Sequence, residues 1–229
     1  MKEIVLSGIR ATGNLHLGNY YGALSKFVKM QEDYDCLFFI ADLHALTTHP
    51  DPKTLHSNVK NILAEYLAAG VDPEKATIFV QSDVPEISEL YLLLNMHVGI
   101  GELMRTASFK DKARKALGIK ADKEEGEIEK EIIGNESNKR VNAGLLTYPT
   151  LMAVDILIQK ANKVPVGKDQ EQHLEMTRVF ARRFNSIYGV EFFPESQPYN
   201  FGQDLVKIPG LDGSGKMGKS EGNGIFLSE

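Results

Sequence analysis

The chain has 229 residues, 42% hydrophobic, 8% aromatic and 25% charged, with a formal net charge of −5. Globular composition of this kind excludes fibrous and disordered classes, and the length suits one large domain with an ample core. A single cysteine, Cys36, excludes an intrachain disulfide and a multi-cysteine zinc cluster, and the mildly acidic balance leaves any nucleic-acid contact to a local basic surface.

Short runs rich in β-branched and aromatic residues predict strands over residues 3–7, 36–41, 77–81 and 162–166. The first of these, with Ile4-Val5-Leu6 at its centre, is too short for a signal-peptide core. No apolar run approaches the ~18 residues that span a bilayer, so a cytoplasmic protein without membrane contact is expected. Helical patterns follow Gly18 and cover residues 54–69, 90–96 and 169–184. This alternation predicts an α/β protein: a Rossmann-like doubly wound parallel sheet with helices on both faces, its ligands at the carboxyl ends of the strands. Cys36 opens an apolar strand and reads as a small buried hydrophobe.

Two segments break the pattern. From Lys110 to Arg140 a basic part (Lys110, Lys112, Arg114, Lys115, Lys120) gives way to an acidic one (Glu124, Glu125, Glu127, Glu129, Glu131). This reads as a solvated helix with a mobile insertion at 113–140, or else as an arm reaching a partner subunit or RNA. Residues 211–223 are rich in glycine and lysine without periodicity, as a moving loop would be.

The first strand runs into Ser7-Gly8-Ile9-Arg10-Ala11-Thr12-Gly13-Asn14-Leu15-His16-Leu17-Gly18-Asn19. Glycine where a helix begins lets a flat ring or a phosphate approach the backbone, and the N–H groups there suit an anion. His16 and Asn19, three apart, fall on one face of that helix and both can donate to phosphate oxygens. A plain N-cap by Asn14 or Asn19 explains the same residues. The turn is neither a P-loop nor a dinucleotide fingerprint. Near the other end, Lys216-Met217-Gly218-Lys219-Ser220 supplies two movable cations and a hydroxyl, which suit a triphosphate whose leaving group gains charge.

Between Leu145 and Ile158 there is one charged residue, Asp155. With Tyr148-Pro149 taken as the start of a helix, Tyr148, Met152 and Asp155 share a face. A buried carboxylate costs several kcal/mol unless it is paired, so Asp155 has either a protein partner or a ligand donor. Beside tyrosine and methionine it would floor an apolar slot suited to an indole N–H. An Asp155 tied to a cationic side chain, or turned out to water, would argue against that assignment.

The two signature segments together resemble those of class I aminoacyl-tRNA synthetases. With Ala41 to Thr47, Gly101-Glu102-Leu103, Leu145 to Leu157 and Val164 to His173, the chain is similar to the bacterial tryptophanyl-tRNA synthetases over nearly its whole length, apart from the charged stretch. The resemblance implies activation of tryptophan by ATP, with Mg2+ carried on the phosphates and no protein metal site, and transfer to tRNA(Trp) by a homodimer. It implies catalytic roles for His16, Asn19, Lys216 and Lys219. ATP would also touch Arg10, Ala11, Thr12, Gly18, Gly167, Lys168, Asp169, Ile208, Met217, Gly218 and Ser220. For tryptophan, Asp155 would accept the indole N–H, Tyr148 and Gln170 would hold the ammonium and carboxylate end, and His44 and Met152 would line the pocket. His173, three residues after Gln170, would brace it.

This sequence departs from the family pattern at Arg10-Ala11, at Lys168 and at Gly218. It also ends at Glu229, where family members continue into a helical anticodon-binding domain, so residues 1–229 are expected to be the catalytic domain only. Apolar helices over residues 101–109 are the expected dimer contact. A tyrosine-specific relative, a fragment that activates the amino acid or binds tRNA without efficient charging, and a small nucleotidylyltransferase are the alternatives.

Overall fold

In the computed structural model, residues 2–48, 51–119, 141–167, 170–199, 208–213, 217 and 222–228 are described. Strand β2 (Asp35–Ala41) shows how the sheet is built. Its alternate residues Cys36, Phe38 and Ile40 join one apolar cluster, while Leu37, Phe39 and Ala41 join another. Both faces of the strand are therefore covered, which is the condition under which parallel sheets form.

Five strands lie parallel in the order β3-β2-β1-β4-β5: β1 (Ile4–Arg10), β2, β3 (Ala76–Val80), β4 (Lys163–Pro165) and β5 (Gln197–Tyr199). Helix α1 (Leu17–Asn19), a π turn (Tyr20–Leu24) and α2 (Ser25–Asp33) lead from β1 to β2. Helices α3 (Asp42–Leu46) and α4 (Pro52–Ala68) lead to β3. Phe27 of α2 stacks on Phe38 with ring centroids 4.3 Å apart, and Tyr66 of α4 meets Phe27 edge-on. Burying aromatic side chains of this kind contributes about 1.5–3 kcal/mol each.

Helices α5 (Pro85–Asn95), α6 (Ile100–Met104), α7 (Ala107–Leu117) and α8 (Ala143–Ile158) separate β3 from β4. Helix α9 (Glu171–Tyr188) separates β4 from β5. Ile156 of α8 and Leu174 of α9 pack with Leu6 and Phe39 on the second face. The order reverses between β1 and β4, which opens a crevice at their carboxyl ends, the usual ligand position in such sheets.

Three expectations need correction. Helix α8 starts at Ala143, with Asn142 as its cap accepting from the Leu145 N–H at 2.8 Å, so Pro149 lies inside the helix and not at its start. The shared face of Tyr148, Met152 and Asp155 survives, because their spacing does not depend on where the helix begins. Helix α5 starts at Pro85, well before the apolar run that announces it. Strand β5 was not expected; it has three residues, one of them Pro198, and proline is tolerated there because the strand is an edge.

Cys36 is buried, as expected of it, and burial raises its thiol to about 11. The charged stretch starts as the last turns of α7, while residues 120–140 lie outside the described residues. Among the described residues no helix is long and apolar enough to cross a membrane.

Candidate functional site

The turn after β1 is held from beneath by one face of α4. Asn58 donates to the Ala11 carbonyl at 3.4 Å, Asn61 to the Asn14 side chain at 3.4 Å, and the Glu65 carboxylate accepts from the Leu15 N–H at 3.1 Å. The last is charge-assisted and buried, worth about 1.5–3 kcal/mol. Ala11 is itself fully buried in the core, and its N–H turns inward to the Ala41 carbonyl at 3.4 Å.

His16 is the N-cap of α1, and the Asn19 side-chain oxygen accepts from its backbone N–H at 3.0 Å. Asn19 thus closes a capping box on His16, which is the N-cap where the plainer alternative had Asn14 or Asn19, and this bond points the Asn19 amide NH2 away from the cap. Gly18 cannot be another residue without cost. A Cβ there would stand 2.9 Å from two atoms of the His16 ring and 3.8 Å from the Met217 Cβ.

That last distance joins the two signature segments. The chain end pairs with the first turn: Leu17 donates to the Ile225 carbonyl at 3.0 Å, Leu227 to the Leu15 carbonyl at 2.8 Å, and His16 bridges Phe226 antiparallel. Met217 is buried, and its N–H meets the Ile208 carbonyl at 3.0 Å. The base of the loop is tied by Leu211 donating to the Asn223 carbonyl at 2.9 Å. Lys216, Gly218, Lys219 and Ser220 lie outside the described residues, as do Lys168 and Asp169 of the β4 turn.

Across the crevice, Asp155 is 3% exposed and has two protein donors. His44 of α3 approaches Oδ2 through Nε2 at 3.0 Å, and Gln81 donates from Nε2 to Oδ1 at 2.8 Å. Burial raises the Asp155 carboxyl above the usual carboxylate range, and the His44 and Gln81 bonds oppose that shift. Its partners are an imidazole, charged only if protonated, and a carboxamide, so neither is a fixed cation. Each carboxylate oxygen retains acceptor capacity beyond these bonds. His44 does more than line the slot, because its ring holds the acid.

Tyr148 is buried, its ring 6.4 Å from that of His44 and edge-on to it. Its hydroxyl lies 2.5 Å from Nε2 of His173, which is fully buried. His173 therefore braces Tyr148. Gln170 caps α9 one turn earlier, its N–H on the Gly167 carbonyl at 2.8 Å. Met152 packs against the apolar cluster that holds Leu6, Phe39 and Ala41. A Cβ on Gly8 would collide with the Phe39 ring at 2.6 Å, which leaves β1 bare beside the slot.

Sequence reasoning passed over two residues here. Gln81 closes a predicted strand, and a polar strand end gives no hint of a partner 74 positions away. Lys112 reads as one charge among many, yet its ammonium sits 3.4 Å over the Tyr148 ring. Burial lowers it to about 8, with a further push from the charge of Arg10. Two cations thus stand at the mouth of the crevice, on the β1 end and on α7. Residues 101–109, expected at a dimer contact, spend Leu103 and Phe109 inside the chain. Exposed apolar side chains lie just before them, at Leu92 and Leu93 of α5, Met96 and Ile100.

A glycine turn packed against Met217 and paired with residues 225–227 at the switch point of a parallel sheet, with a clamped acid across the crevice, places this chain among α/β proteins built around a crevice at the strand ends. The family model described as "tRNA synthetases class I (W and Y)" matches residues 2–229, and the chain belongs to that family. It is 61% identical over 227 residues to a Tryptophan–tRNA ligase of Porphyromonas gingivalis, covering 99% of this chain and 63% of the relative. It is 48% identical to the ligase of that name from Fusobacterium nucleatum, covering 97% of this chain and 61% of the relative. A solved tryptophanyl-tRNA synthetase of Campylobacter jejuni, complexed with ADP and tryptophan, superposes with a TM-score of 0.82 at 37% identity, covering 99% of this chain and 63% of its own. The chain therefore spans less than two thirds of the length of these relatives.

Proposed function

We propose that this chain is the catalytic domain of a tryptophan–tRNA ligase. The tryptophan carboxylate attacks the α-phosphorus of ATP in line, an oxygen–phosphorus bond forms, and the bond to the bridging oxygen breaks with loss of pyrophosphate. A ribose hydroxyl at the 3′ end of tRNA(Trp) then attacks the carbonyl carbon of the adenylate and AMP leaves. No side chain acts as nucleophile, so catalysis is positioning and charge stabilisation.

The nucleotide lies in the crevice between the Gly18 turn and Gly167, where the missing Cβ of Gly18 leaves the His16 ring its place. His16 and the Asn19 amide face the phosphates. Arg10, Lys112, Lys216 and Lys219 offset the charge of the departing pyrophosphate. Mg2+ on the phosphates spreads the same charge. Thr12, Lys168, Asp169, Ile208, Met217, Gly218 and Ser220 complete the ATP site in this reading.

Tryptophan lies in the slot floored by Asp155, with Met152 and His44 on its walls and Tyr148 and Gln170 at its ammonium and carboxylate end. The observation that carries the reading is Asp155: a buried acid held at both oxygens, with acceptor capacity left for one ring N–H. A phenol also donates to a carboxylate, so the tyrosine-specific alternative is separated by competition. Tryptophan-dependent ATP–pyrophosphate exchange that tyrosine neither supports nor inhibits is the expected result; exchange driven by tyrosine would overturn it.

A second copy docked on Leu92, Leu93, Met96 and Ile100 makes the homodimer, and exposed apolar faces of this kind mark partner contacts. Light scattering of Leu93→Glu against the unaltered chain tests that contact. A cytoplasmic location accompanies the activity, since its tRNA substrate is there.

A further inference from the structure

We propose that Gln81 is a specificity-determining positioning residue: its carboxamide bridges the His44 backbone and the Asp155 carboxylate, and so keeps the pocket floor an acceptor. The inference rests on Asp155 receiving a ring N–H from the substrate.

Gln81 is fully buried at the end of β3. Its two ends are distinguishable by chemistry. Oε1 faces the His44 N–H at 3.3 Å, which can only donate, and Nε2 faces Asp155 Oδ1 at 2.8 Å, a carboxylate oxygen. The His44 ring returns to the other oxygen at 3.0 Å. Three elements (α3, the end of β3, and α8) thus close one hydrogen-bonded ring, and the carboxylate cannot turn without breaking it. Asp155 receives one N–H on each oxygen from inside, and each oxygen keeps a lone pair for the slot.

The ring also governs ionisation. Burial and the nearby charge of Asp42 push the Asp155 carboxyl towards its neutral form, while His44 and Gln81 oppose them. The other titratable groups around it are Tyr148 on its own helix, with His173 and Lys112 beyond it, and Tyr91 of α5, whose hydroxyl is engaged by Thr147. A neutral carboxyl would turn an O–H towards an indole N–H, donor against donor, and a site left mismatched rejects its ligand.

Two substitutions give opposite signatures. Gln81→Met keeps the volume and removes the donor, so Asp155 takes up a proton more readily and tryptophan affinity falls as pH falls. Gln81→Glu shares one proton with Asp155 and mimics the carboxamide at low pH, so affinity falls as pH rises and a second charge appears. Each slope should reach about tenfold relative to the unaltered chain, the worth of one hydrogen bond to a charged group. It should develop as the pH crosses the raised titration of the Asp155 carboxyl.

The chain contains no tryptophan, so indole fluorescence of the ligand reads binding to the full chain directly. A merely structural role would lower affinity equally at every pH, and flat ratios in both variants would overturn the inference. Should Gln81→Met fail to fold, the slope of Gln81→Glu decides by itself. Asp155→Asn, measured alongside, separates the two layers. If it removes tryptophan binding while the Gln81 ratios stay flat, only the role of Gln81 is lost. If tryptophan binding survives it, the reading of Asp155 falls as well.

Discussion

Replacing Gly18 by alanine should separate stability from catalysis. The added methyl would lie 2.9 Å from Cε1 and Nδ1 of His16, closer than carbon atoms pack, so the ring must move. It has little room: His16 is 5% exposed, and its Cβ lies close under Gly224. Alanine gains about 1 kcal/mol over glycine in a helix, while overpacking costs about 1–3 kcal/mol. The net loss of stability is therefore small, about 2 kcal/mol at most. A displacement of about 1 Å in a group that meets the transition state costs about a hundredfold in rate, equivalent to ~2.7 kcal/mol. Thermal melting should shift by a few degrees, whereas tryptophan-dependent pyrophosphate exchange should fall by about two orders of magnitude with little change in tryptophan affinity. Exchange at the unaltered rate, in a variant that melts normally, would refute the idea that His16 works from this position.

Further outcomes follow from the same geometry. Lys112 is lowered from 10.5 to about 8, so between those values the unfolded chain holds a proton that the folded one has lost. Stability should therefore rise with pH across that window, and pH-dependent melting of Lys112→Met should lack the rise. Binding of pyrophosphate beside Lys112 should restore its proton, which calorimetry in buffers of different ionisation enthalpy reads as proton uptake at about pH 9. Glu65→Leu leaves the Leu15 N–H without its carboxylate and should cost about 2–3 kcal/mol in denaturant unfolding. Lys219→Ala should slow adenylate formation in single-turnover assays by more than it weakens tryptophan binding; an unchanged rate would remove the loop from the chemistry.

What the sequence disclosed and what it hid differ in kind. Strands β1 to β4 were legible because their residues face two apolar layers and carry the β-branched and aromatic character that such burial selects. The tight first turn was legible because close backbone approach demands glycine at a fixed place, whereas the lysine pair lies outside the described residues. Helix α8 was legible as an apolar run with one acid, but not at its start, since Pro149 looks like a beginning and here sits inside. Gln81, Lys112 and the Tyr148 partner of His173 were hidden for another reason. A glutamine, a histidine and a lysine are ordinary anywhere in a chain, and only the packing of α3, α7, α8 and α9 around one crevice turns them into a clamp, a brace and a cation over a ring. The bracing of the first turn by Asn58, Asn61 and Glu65 is legible only once α4 is seen beneath it.

The pairing of Leu15 and Leu17 with Ile225 and Leu227 bears on how the molecule is made. The first turn is synthesised well before the stretch that fastens it, so a nascent chain carries an unfinished crevice until synthesis has passed Leu227. A break between the two segments would therefore leave the first turn without the backbone bonds that fix its shape.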